Sequence, residues 1–129
     1  MKPLRRFFWQ TYEGKPIAID IIEEIISAQK RLAKIPDLHN LLKNPDYIDG
    51  LFDRIKGGFP NKNPPLWLIL GQIDLFLKHD SSIETILISE CGANFIGSEK
   101  YSYFIFTCSL FVYIEYVKLQ NTENERGDA

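Results

Sequence analysis

The uncharged stretch YSYFIFTCSLFVYI, residues 101–114, decides the fold of this 129-residue chain. A membrane-spanning helix needs about 20 mostly apolar residues, whereas this run of 14 is followed directly by Glu115. Ser102, Thr107 and Ser109 also make the run less apolar. We therefore interpret it as the interior of a globular domain and not as a bilayer anchor.

The same stretch is too long for a single strand, since strands usually span about five or six residues. A hairpin would need a turn, and its centre contains no Gly, Pro, Asn or Asp. Length therefore predicts a helix from about Glu99 to Gln120, capped by Ser98. On a helical wheel one narrow arc holds Lys100, Thr107, Glu115 and Lys118, with Phe104 and Phe111 between them. The remaining circumference is apolar, aromatic or small, which predicts a helix surrounded by others.

Three segments before this helix show helix signals. The stretch 14–37 has an apolar face at helical spacing, with Pro16 suited to its first position and Pro36 at its end. The segment 35–44 reads as a short helical turn. The stretch 44–58 begins with Asn44 as a cap before a proline and ends at a glycine, which predicts a third helix.

Two further segments complete the predicted bundle. The stretch 63–80 is predicted to be a largely buried helix with Asn63 as its cap and Pro64 at its first position; its buried set is Trp67, Leu68, Leu70, Ile73, Leu75, Phe76 and Leu77. Gly71 inside it predicts close approach of a neighbouring element, since glycine costs about 1 kcal/mol there relative to alanine. Residues 81–96 begin with a capping box, Ser81 to Glu84. We interpret that segment as a helix, although ETILIS fits a strand equally well.

The chain is therefore predicted to be all-α, an irregular or orthogonal bundle of about five helices around an apolar C-terminal helix. We expect one helical domain over residues 1–120 and a polar, disordered tail over 121–129. Hydrophobic residues make up 45% and the net charge is −2, which is typical of a globular protein and argues against nucleic acid as a partner. With no apolar signal segment near the N-terminus, we expect a cytoplasmic protein without a membrane partner.

No motif predicts catalysis, a cofactor or a metal. His79 could pair with Asp74 or Asp80 as a general base, but a histidine near a helix C-terminus is more often there for the helix dipole. His39 and His79 do not form a ligand pair with each other or with Cys91 and Cys108, which we expect to be buried free thiols. The loop KGGFPNKNPP lacks the Gly-Lys-Ser/Thr ending of a phosphate-binding loop. We therefore predict a protein that is not an enzyme and has no catalytic residue.

The N-terminal segment KPLRRFFWQTY interleaves basic and aromatic residues. Such a cluster could stack on single-stranded nucleic acid or lie at a membrane surface. We favour aromatic side chains that dock on the core, because one short basic cluster in an acidic chain is weak electrostatic evidence.

Three carboxylates form the clearest surface pattern. Asp46, Asp49 and Asp53 share one arc of the predicted third helix, opposite its apolar face. Asp46 is favourable at a helix N-terminus, whereas Asp49 and Asp53, four residues apart, repel each other at a cost of about 0.2–0.5 kcal/mol. Most such stripes are solvated faces; the alternative is a docking surface for a basic partner.

A small acidic helical domain with this stripe and no reaction motif resembles bacterial toxin-immunity proteins. The resemblance implies a tight complex with a cognate toxin, in many cases a basic nuclease, with Asp46, Asp49 and Asp53 as partner-binding residues. The main alternative is a regulatory or adaptor module that self-associates or binds another protein through apolar surface, such as Phe104 and Phe111. A small enzyme using carboxylates or His79 is a further alternative.

Overall fold

Every regular element that the computed structural model describes, over residues 19–57 and 64–127, is helical. Six α-helices and one short 3₁₀ turn, Ala93–Phe95, follow one another along the chain. The helices are α1 (Ile19–Leu32), α2 (Pro36–Lys43), α3 (Pro45–Lys56), α4 (Leu66–Lys78), α5 (Ser81–Cys91) and α6 (Glu99–Gly127). The predicted all-α bundle is confirmed, and the segment expected to be a turn at residues 35–44 is a full helix, α2.

Helix α6 is the centre of the bundle, because it packs against α1, α2, α3 and α4. Its N-terminus is capped as predicted, since the Ser98 hydroxyl accepts a hydrogen bond from the backbone N–H of Tyr101 at 3.1 Å. The middle of the helix is buried on all sides, from Thr107 to Tyr116. Most of residues 101–114 therefore lie in a globular core, although Ser102, Tyr103 and Phe106 near the start of the helix are exposed.

The middle of the predicted polar arc of α6 is buried, whereas Lys100 near its start is exposed. Thr107 is fully inaccessible and Glu115 nearly so, and each has polar partners. The Thr107 hydroxyl donates to the Tyr103 carbonyl at 3.0 Å and accepts from Arg31 of α1 at 3.3 Å. Glu115 pairs with Lys118 at 3.4 Å. Buried polar groups require such partners, so α6 can be enclosed without an exposed polar face in its middle.

Length and hydropathy alone would allow α6 to cross a bilayer between Glu99 and Thr122, and no other helix among the described residues meets that criterion. However, 61% of its most apolar window is buried inside the bundle. A core helix satisfies the same test, so this is weak evidence for a membrane span.

Helix α6 also ends later than the sequence predicts. Its backbone stays helical to Gly127, beyond the expected end at Gln120. Once a helix is nucleated, each further residue adds one hydrogen bond without a new nucleation step, so a polar segment can continue it. Thr122 contributes such a local interaction, because its hydroxyl donates to the Lys118 carbonyl at 3.0 Å.

The start of α4 differs from the prediction because two prolines are adjacent. Asn63, the expected cap of this helix, lies outside the described residues. Pro16, the expected first residue of the first helix, also lies outside them. Pro64 is not in the first helical position, since α4 begins at Leu66 with Pro65 as its N-cap at ψ 153°. A residue that precedes proline is driven out of the α region, so Pro64 cannot begin a helix that contains Pro65.

The segment predicted as helix or strand is helix α5, followed by the 3₁₀ turn. The capping box was assigned one residue too late, because the cap is Asp80 and not Ser81. One carboxylate oxygen of Asp80 accepts from the backbone N–H groups of Ser82 at 2.8 Å and Ile83 at 3.3 Å. Gly92 then ends α5 with φ 91°, a conformation that favours glycine.

Candidate functional site

The predicted acidic stripe lies on the outward face of α3. Helix α3 begins as the sequence predicts, with the Asn44 side chain accepting from the backbone N–H of Asp46 at 2.9 Å and Pro45 in the first position. Its core face holds Ile48, Leu51, Phe52 and Ile55, all buried. Asp46, Asp49 and Asp53 are exposed, so the structure brings the three predicted residues together on one accessible surface.

The basic side chains of α3 point at aromatic rings. The Arg54 guanidinium carbon lies 5.2 Å from the centre of the Phe76 ring of α4. The Lys56 ammonium lies 5.6 Å from the Tyr116 ring of α6, which itself stacks on Phe52 with ring centres 3.7 Å apart. Cation–π contacts of this kind contribute about 0.5–1 kcal/mol at partly exposed sites.

Within the described part of the chain, no ion pair compensates the stripe. The ion pairs there join Arg31 to Glu24, Lys78 to Asp74 and Lys118 to Glu115. Asp49 and Asp53 therefore retain their mutual repulsion, and neither stabilises the fold through a described polar contact. The arrangement can attract a cationic surface, because uncompensated like charges create a field that extends about a Debye length into solvent.

The structure weakens the alternative of a His79 general base. His79 is exposed at the C-terminus of α4. The neighbouring Asp80 is already engaged, since one carboxylate oxygen caps α5 and the other accepts from the Tyr47 hydroxyl at 2.6 Å. Asp74, the second candidate partner, pairs with Lys78 at 3.1 Å. A general base needs an orienting partner within hydrogen-bond reach, and neither carboxylate fills that role for His79.

The cysteines differ from each other. Cys108 is buried as predicted, and burial, with a further contribution from Asp74, raises the pKa of its thiol. Cys91 was expected to be buried but is exposed, because it is the last residue of α5 and the chain turns away at Gly92.

His39, the other histidine considered as a metal ligand, packs against Phe111, with the two ring centres 5.3 Å apart. Among the described residues, no group of His, Cys, Asp and Glu side chains could hold a metal ion.

The apolar surfaces also differ from those predicted. Phe111 is buried, and Phe104 is half-buried with its ring 6.1 Å from Phe95, so they do not form an exposed stripe. Trp67 and Leu75, predicted to be buried, are instead among the most exposed large hydrophobic residues described. On a helical wheel both lie on the arc opposite Ile69, Ile73 and Leu77, together with Gly71, but the apolar pattern alone does not show which of the two arcs is buried.

The N-terminal basic and aromatic cluster lies outside the described residues. No protein-family model, curated protein or solved structure matches this chain. The functional argument therefore depends on the geometry of the acidic stripe.

Proposed function

We propose that this protein is a small cytoplasmic protein-binding domain whose acidic stripe, Asp46, Asp49 and Asp53, docks a basic partner. In its specific form, the proposal is an immunity protein that neutralises a cognate toxin, such as a basic nuclease, by forming a tight complex. The supporting observation is that the stripe is exposed and has no ion-pair partner among the described residues, although two basic side chains lie on the same helix.

Charge complementarity explains why an otherwise unfavourable stripe would be useful. An uncompensated acidic surface steers a basic partner during diffusion and raises the association rate, an effect that salt reduces. Neutralising a toxin requires occupation of its surface and no chemistry. The proposal therefore assigns no catalytic residue, cofactor or metal to this chain.

The first test is capture of partners at low salt, with tagged wild-type protein in its native host. The proposal expects one basic protein in equal amount that elutes as salt rises, because surface charge attraction is screened by salt. Co-expression should then suppress the toxicity of that protein. Recovery of only acidic or salt-insensitive partners would contradict the proposal.

The second test separates the stripe from net charge. Asp49→Asn with Asp53→Asn should lower the affinity for the captured protein about tenfold to a hundredfold at low salt, mainly through the association rate. The matched control is Glu23→Gln with Glu90→Gln, which removes two exposed acids from α1 and α5. Equal losses in both double variants would show that only net charge matters and would overturn the assignment of α3.

The fold should tolerate the stripe variants. Removing the Asp49–Asp53 repulsion is expected to leave the free energy of unfolding unchanged or to raise it by about 0.2–0.5 kcal/mol. Urea denaturation measures this free energy and shows whether a variant that no longer binds the partner is still folded. A clear destabilisation would mean that the carboxylates have a structural role instead.

A further inference from the structure

We draw no further inference here: the strongest candidate, the polar cluster between α1 and α6 in which the buried Nε of Arg31 has no acceptor among the described residues, carries nothing, because Glu24 and Thr107 already engage the guanidinium of that arginine and nothing else in the structure points to a ligand there.

Discussion

At the scale of single residues, Asp80 takes part in two separate interactions, a helix cap and a hydrogen bond with a tyrosine of another helix. One of its carboxylate oxygens caps α5, and the other accepts from Tyr47 of α3 at 2.6 Å. Burial and the hydrogen bond to Asp80 both raise the pKa of the Tyr47 hydroxyl, so that it remains a donor. One side chain thus fixes where α5 begins and joins it to α3.

The two functions of Asp80 can be separated by mutation. Tyr47→Phe should lower the free energy of unfolding by about 1.5–3 kcal/mol, the usual contribution of a hydrogen bond to a charged group. Asp80→Ser keeps a capping oxygen but loses the oxygen that accepts from Tyr47, and should lower the free energy of unfolding by about the same amount. Asp80→Ala should cost about 1 kcal/mol more, because the cap is also lost.

Urea denaturation of the three variants measures these differences, and Tyr47→Phe combined with Asp80→Ser gives the coupling between the two residues. The double variant should be little worse than either single variant, since both changes remove the same hydrogen bond. Fully additive losses would mean that Tyr47 and Asp80 stabilise the fold independently.

Asp80 also shows a limit of prediction from sequence. Asp80 and Ser81 are both good capping residues, and a glutamate three positions after Ser81 favours the later start. Asp80 also accepts a hydrogen bond from Tyr47, 33 residues earlier in the chain, and local capping signals contain no information about such a distant contact. The Asn44 side chain caps α3 through the adjacent backbone N–H groups of Asp46 and Tyr47, and there the local signals predicted the helix start correctly.

At the scale of elements, α4 shows why an apolar helix is hard to orient from its sequence. Ten of its 13 residues are apolar or glycine, so the hydrophobic pattern has little directional information. The buried and exposed faces are set by its neighbours α3, α5 and α6. Prediction of the helix was therefore correct, while Trp67, Leu75 and Gly71 were placed on the wrong side.

Gly71→Ala is expected to stabilise the fold. The added methyl group meets no atom within 4 Å among the described residues, and alanine is favoured over glycine within a helix by up to about 1 kcal/mol. Urea denaturation of Gly71→Ala beside the wild-type protein should show this gain in the free energy of unfolding.

The control for that experiment is Gly97→Ala. Gly97 has φ 86°, where a side chain is strained, so the substitution should lower the free energy of unfolding by about 1 kcal/mol. A loss of stability in Gly71→Ala similar to that in Gly97→Ala would contradict the open environment assigned to Gly71.

At the scale of the whole molecule, the acidic stripe could be predicted from the helical period and the end signals of α3. The directions of the Arg54 and Lys56 side chains could not be predicted from the sequence, because the Phe76 and Tyr116 rings that they contact belong to distant segments. Composition and the long apolar run predicted the all-α fold, since core helices can be recognised without knowing their neighbours. Functional sites lack such a signal when no reaction motif is present.

The core also holds ionisable groups that favour the folded state only while protonated. Burial is the main cause of raised pKa values at Tyr47, Tyr101, Tyr113 and Cys108, which lie on α3 and α6. For Tyr113 the pKa rises from the usual 10.0 to about 12. In the unfolded chain these groups lose their protons at lower pH, so the unfolded state gains stability as the pH rises.

The protein should therefore unfold in alkali. The contribution of Tyr113 is complete below pH 10.0 and is lost as the pH rises towards 12, at about 1.4 kcal/mol per pH unit. Urea denaturation at several values between pH 8 and 12 should show a decline that becomes steeper above pH 10, and Tyr113→Phe should reduce that slope by up to the same amount. Tyrosinate absorbance should rise together with loss of helical circular dichroism, because the buried hydroxyls ionise only as the bundle opens. Absorbance that rises fully while the helices remain intact would show that these tyrosines are accessible and that alkaline unfolding has another origin.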